Sequence, residues 1–124
     1  MQKKSFHKGE RLKSRKSIEK LFREGAVHKC FPFVLLYREA ENQAYPALMT
    51  VAVPKKLIRK AADRNLLKRR TREAYRLMKQ ELYNSLGSQG KQVELLFLYK
   101  SEKPESHNNI AAAVKTLLGK LTTA

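Results

Sequence analysis

The sequence predicts a mixed α/β domain whose elements run helix, strand, strand, helix, strand, helix. Three observations predict it. A stretch from Arg59 to Leu82 holds good helix formers with neither Gly nor Pro. Three apolar runs of strand length are bounded by turn residues. The last residues carry apolar side chains at helical spacing. A chain of 124 residues with 42% hydrophobic residues can build one core, so a single domain is expected over 1–124.

Residues 1–13 are polar, with Phe6 and Leu12 as isolated anchors, and are read as an extended or flexible tail. Ser14 is placed to cap a helix in which Ile18, Leu21 and Phe22 recur at helical spacing until Gly25 stops it. Ten residues of helix are marginal alone, so this one must dock. Cys30 to Tyr37 and Ala47 to Val53 are the first two strand runs, and the polar segment 39–45 between them predicts an antiparallel hairpin. Both runs are apolar on both faces, as in a sheet covered on more than one side. Pro54 ends the second run because it cannot donate to a ladder. The long helix from Arg59 to Leu82 follows, then a loop from Ser85 to Gly90 and a strand from Val93 to Tyr99. Ile110, Val114, Leu117, Leu118 and Leu121 line one stripe of the final helix.

Charge is the strongest compositional signal. There are 27 Lys and Arg against 11 Asp and Glu, a formal net charge of +16. The excess is concentrated: nine basic against three acidic residues up to Glu24, and eleven against two from Lys55 to Lys79. The remaining two stretches are nearly balanced. Uniform supercharging would spread the excess; two basic segments point to a polyanion-binding surface built from both.

On a helical wheel with Arg64 at zero, Asn65, Lys68, Arg69, Arg72, Arg76 and Lys79 share an arc of roughly 140 degrees. Leu66, Leu67, Ala74, Leu77 and Met78 share another, from roughly 200 to 320 degrees, with Arg70 and Glu81 at its rim. The expectation is a helix that buries one face and shows six like charges on the other. Such repulsion at i, i+3 and i+4 spacing calls for an external counter-charge. Guanidinium groups suit phosphate because their planar fork makes two parallel bonds. Asn65 can donate to and accept from a ribose, phosphate or base edge.

Other chemistries lack their residues. One cysteine, Cys30, allows neither a disulfide framework nor a multi-thiolate zinc site, and it is read as a small core residue. His7, His28 and His107 are scattered, with no paired carboxylates or ligand spacing, so no catalytic or metal-binding residue is assigned. Phe31, Phe33 and Tyr37 alternate and are assigned to core packing. No apolar run reaches the roughly 18 residues of a membrane span, and no hydrophobic stretch follows the basic start. A cytoplasmic protein without a membrane partner is expected.

Val51-Ala52-Val53-Pro54-Lys55-Lys56, followed by Arg64-Asn65-Leu66-Leu67-Lys68-Arg69-Arg70-Thr71-Arg72-Glu73-Ala74, resembles the signature of the bacterial ribonuclease P protein subunit. Arg11-Leu12-Lys13 and the segment Ile18 to Gly25 resemble that family's opening helix, and the similarity runs over nearly the whole chain. Leu66 stands where the family usually has a third-position Arg, and Ile18 and Leu36 are aliphatic where it often has aromatic residues. The resemblance implies an α/β two-layer sandwich similar to the second domain of a small-subunit ribosomal protein, with a left-handed crossover. It implies a ribonucleoprotein endoribonuclease in which an RNA subunit, with magnesium, cleaves precursor tRNA. The protein would hold no cofactor itself, would be a monomer in isolation, and would join the RNA one to one. By position, Arg64, Asn65, Lys68, Arg69 and Arg72 match the RNA-docking set. Arg76, Lys55, Lys56, Arg11 and Lys13 extend it. Ile18, Phe22, Val34 and Leu36 match a cleft for the single-stranded 5′ leader. A ribosomal or ribosome-assembly RNA-binding protein is the alternative, and a DNA-binding module comes third.

Overall fold

A four-stranded sheet organises the chain, and the last strand in sequence sets its order. The computed structural model describes residues 6–122. It contains a 3-10 turn at Lys8–Glu10, helix α1 (Arg15–Glu24), strands β1 (Ala26–Cys30), β2 (Phe33–Ala40) and β3 (Ala47–Ala52), helix α2 (Ala61–Gln89), strand β4 (Gln92–Tyr99) and helix α3 (His107–Thr122). The sheet order is β1-β2-β4-β3. β1 and β2 are antiparallel, β2 and β4 are antiparallel, and β3 runs parallel to β4.

This arrangement corrects two expectations. The runs 30–37 and 47–53 do not form a hairpin; β4 separates them, pairing Leu36 with Leu96 on one side and Thr50 with Leu96 on the other. Five consecutive buried residues, Val93 to Phe97, make β4 the strand best suited to a central position. The run from Cys30 is also two strands' worth of chain: Cys30 ends β1, and Phe31–Pro32, joined by a cis peptide, turn it into β2. β1 escaped sequence reading because Ala-Val-His-Lys is neither alternating nor strongly apolar; it is a sheet-edge strand. Phe31 accordingly sits exposed in the turn, while Phe33 is buried.

The helical boundaries have local causes. Ser14 Oγ accepts the Ser17 N–H at 3.3 Å and starts α1. α2 continues through the stretch expected as a loop from Ser85 and stops at Gly90, whose φ of 64° is the left-handed conformation glycine adopts freely. Lys91 N–H then bonds back to the Leu86 carbonyl at 3.0 Å. Serines and Gly87 weaken helix propensity there, but burial of Leu82 and Leu86 overrides it.

The two sheet faces are covered unequally. Phe33, Leu35, Met49, Leu95 and Phe97 pack with Tyr75 of α2 and with Ile110, Val114 and Leu117 of α3 in the main core. On the other face, Leu36 and Leu96 meet Leu12 and Leu21 in a smaller cluster under α1. Residues 1–5 of the expected tail lie outside the described residues. Residues 6–13 are packed: Leu12 is buried, its N–H bonds to the Met49 carbonyl at 2.9 Å, and Arg11 forms a parallel bridge beside β3. That bridge covers an otherwise open sheet edge.

Candidate nucleic-acid interface

The buried face of α2 differs from the predicted one. Leu67, Thr71, Ala74, Tyr75, Lys79, Leu82 and Leu86 are buried, whereas Leu77 is 43% exposed. On the wheel this turns the inward face by about 90 degrees, toward the basic arc. The wheel ranked positions by leucine content; the fold instead inserts Tyr75 edge-on against Phe97, ring centroids 6.2 Å apart.

The six-charge ladder therefore divides. Lys79 leaves it: only 8% exposed, it is bonded to the Glu10 carboxylate, which is 1% exposed. Arg76 pairs with Glu73 one turn away. Arg64 is half-buried and donates from Nη1 to the carbonyls of Ile58 and Arg59 at 2.9 and 2.8 Å, tying the loop after β3 to the first turn of α2. Asn65 and Arg69 are exposed, and Lys68 and Arg72 half-exposed. Among the described residues Lys68, Arg69 and Arg72 form no salt bridge. Arg70, expected at the apolar rim, does sit there and donates to the Glu105 carbonyl at 2.8 Å.

The N-terminal segment joins this strip. Phe6 packs edge-on against Tyr75 at 5.7 Å, and the Arg11 guanidinium lies 5.7 Å from the Phe6 ring centre. Desolvation first, then the nearby Arg11 charge, lowers the Arg72 pKa from its ordinary value. Both basic segments thus meet beside one helix. Lys13 is exposed just beyond.

The residues expected to form the leader cleft lie on the sheet face beside α1. The cross-strand row Lys29, Val34, Leu98, Ala52 spans all four strands there. Val34, Leu98, Ala52 and Ile18 are half-buried, and Phe22 projects from α1 with 54% of its surface exposed. Leu36, expected to line this cleft, is only 7% exposed and belongs to the small core beneath α1. Leu98 and Ala52 were missed, because only strand register brings them beside Val34. Lys55 and Lys56 are exposed just after β3, where Leu57 and Ile58 N–H groups bond to the Pro54 carbonyl in a tight turn.

Among the described residues no three His, Cys, Asp or Glu side chains cluster so as to hold a metal. His28 stacks on Tyr37 at 4.9 Å, and half-buried Cys30 packs against the main core. No described helix is long and apolar enough to cross a membrane.

The sequence model of the Ribonuclease P family matches residues 6–122. The chain belongs to the ribonuclease P protein component family. A ribonuclease P protein component from Porphyromonas gingivalis is 34% identical over 112 residues, covering 90% of this chain and 82% of that one. One from Chlorobaculum tepidum is 36% identical over 102 residues, covering 76% and 66%. Among solved structures, the Staphylococcus aureus RNase P protein superposes with a TM-score of 0.73 at 18% identity, over 90% of this chain and 94% of that one. The Thermotoga maritima RNase P protein gives 0.64 at 24% identity, over 93% and 97%. These two likenesses bear out the α/β two-layer fold expected from the family signature.

Proposed function

We propose that this chain is the protein subunit of a ribonuclease P ribonucleoprotein, docking on the RNA subunit through the α2 strip and receiving the 5′ leader of precursor tRNA in the cleft beside α1. One observation carries the reading: Lys68, Arg69 and Arg72, joined by Arg11, form a cationic strip with no acidic partner among the described residues. Such a strip suits a phosphate backbone, where each neutralised phosphate releases counter-ions and favours binding. Asn65, exposed at its edge, adds a group that can both donate and accept.

The cleft has the makeup of a single-strand platform. Phe22 offers a ring for stacking, Val34, Leu98 and Ala52 offer an apolar floor, and Lys29, Lys55 and Lys56 supply charge near its ends. Holding a strand this way does not require reading its bases. In this reading the hydrolytic step belongs to the RNA. Magnesium belongs with it too, since the described donors do not fit a metal site and no step is assigned to side chains of this chain. The chain's contribution is placement of the leader and neutralisation of crowded phosphates.

Reconstitution tests this. The protein combined with a cognate RNase P RNA should support 5′ processing of a precursor tRNA at magnesium concentrations where the RNA alone is inactive. Recovery of intact ribosomal RNA from cells, with no RNase P RNA, would overturn the assignment.

A further inference from the structure

A buried acid holds the N-terminal segment in register on α2. Glu10 is almost fully enclosed, yet it is a carboxylate in a chain short of acids. It accepts hydrogen bonds from the Lys79 ammonium and the Tyr83 hydroxyl, and from the His7 N–H at 2.7 Å. The Lys79 ammonium also faces the rings of Phe6 and Tyr83, 5.9 and 5.1 Å from their centres. Gly9 lets the backbone approach Tyr45, where a β-carbon would come within 2.7 Å of the ring.

A buried ion pair is weak support for stability, because desolvation offsets most of its attraction; its clearer use is to select one register. Phe6 and Leu12 anchor the segment by apolar contact, and the Leu12 N–H bond to the Met49 carbonyl ties it to β3. The ion cluster supplies the directional tie to α2. What the register fixes is the residue after Glu10: Arg11 is held over the same Phe6 ring that Lys79 faces, beside the α2 turn that carries Arg72.

We propose that Glu10 is a positioning residue for RNA recognition, which pins residues 6–13 to Lys79 and Tyr83 so that Arg11 and Arg72 make one two-pronged phosphate site. The proposal rests on the ribonuclease P reading above. It also gives Lys79 and Arg72, two α2 cations seven residues apart, opposite employments: one anchors the segment, the other awaits the ligand. Two guanidinium groups without an acid between them repel, and a phosphate relieves the strain, so segment docking and RNA binding are linked.

The test measures affinity for a cognate RNase P RNA transcript against salt for Glu10→Gln, Arg11→Ala and the double variant, alongside thermal unfolding. Each single variant should lose roughly tenfold in affinity at 0.1 M salt and flatten the log–log slope by a little under one unit, as for one phosphate contact. The double variant should be no worse than Arg11→Ala. A purely structural role for Glu10 would lower the melting temperature with the slope unchanged; that result, or additive losses in the double variant, overturns the proposal. Should Glu10→Gln fail to fold, Tyr83→Phe takes its place, since it removes one donor to the carboxylate and leaves the ion pair. The wild-type chain supplies a further check: RNA should protect the tryptic sites at Lys8 and Arg11, and that protection should weaken in Arg72→Ala. Unaltered protection overturns the proposal as well. If the wild-type chain shows no preference for RNase P RNA over an unrelated structured RNA, the underlying functional reading falls and this inference falls with it. With that preference intact, additivity removes this inference alone.

Discussion

The two halves of α2 carry the same kinds of cation and employ them differently. Lys68, Arg69 and Arg72 face outward with no acid to meet them among the described residues; Arg76 and Lys79 meet Glu73 and Glu10. Sequence spacing alone places all of them on one arc. What separates Lys79 is its packing partner, since residues 6–10 lie across the helix there, while Arg76 meets Glu73 of its own helix. A charge becomes part of a scaffold when the fold brings it a buried acid, and part of a binding surface when it does not.

The largest expected effect comes from breaking the scaffold half. Lys79→Met leaves Glu10 enclosed without its cation, and stability should fall by about 3 kcal/mol, read from denaturant midpoints. A loss under 1 kcal/mol would mean that Lys79 is no more scaffold than Arg72. Acid should produce part of the same effect. Burial alone would raise the Glu10 carboxyl, but hydrogen bonds from Lys79, Tyr83 and the His7 N–H hold it below the ordinary 4.5. A depressed carboxylate stabilises the fold above its unfolded pKa and loses that contribution as pH falls through the folded one. Stability should therefore decline from about pH 4.5 downward, and Glu10→Gln should remove that part of the decline.

Arg72→Ala attacks the other half. Affinity for RNase P RNA should drop roughly tenfold with a flatter salt slope, while the melting temperature stays within about 2 °C. Phe22→Ala should weaken binding of leader-bearing precursor about fivefold relative to mature tRNA, the worth of one stacking contact; equal losses would remove the leader cleft. The smallest effect belongs to Arg76→Ala. Its exposed pair with Glu73 should contribute little to stability, with the melting temperature nearly unchanged, and RNA affinity should change least.

Much of the architecture is legible in the sequence. Ser14 and Gly25 bracket α1, the stripe of α3 buries as spaced, and the β4 run reads as a strand. The pairing of strands is not legible, because nothing local says that Val93 to Tyr99 will insert between two runs adjacent in sequence. The site shows the same division. The exposed or half-exposed placement of Asn65, Lys68, Arg69 and Arg72 follows from their type and spacing. The burial of Lys79, the capture of Arg64 by backbone carbonyls and the enclosure of Leu36 depend on segments that only the fold brings near. A distant acid such as Glu10, alone among basic neighbours, was the available hint.

The strand order has a consequence for biosynthesis. β4 is the hub of the sheet and also the last strand to be made, so β3 has no neighbouring strand until it emerges. A nascent chain that has reached Gln89 already displays every cation of the strip but no completed sheet. Contacts of such long sequence separation form slowly, and exposed strand surfaces invite misassociation meanwhile. A polyanion that met the chain at that stage would find the charges without the shape. Faithful assembly therefore depends on folding outpacing capture by the wrong nucleic acid.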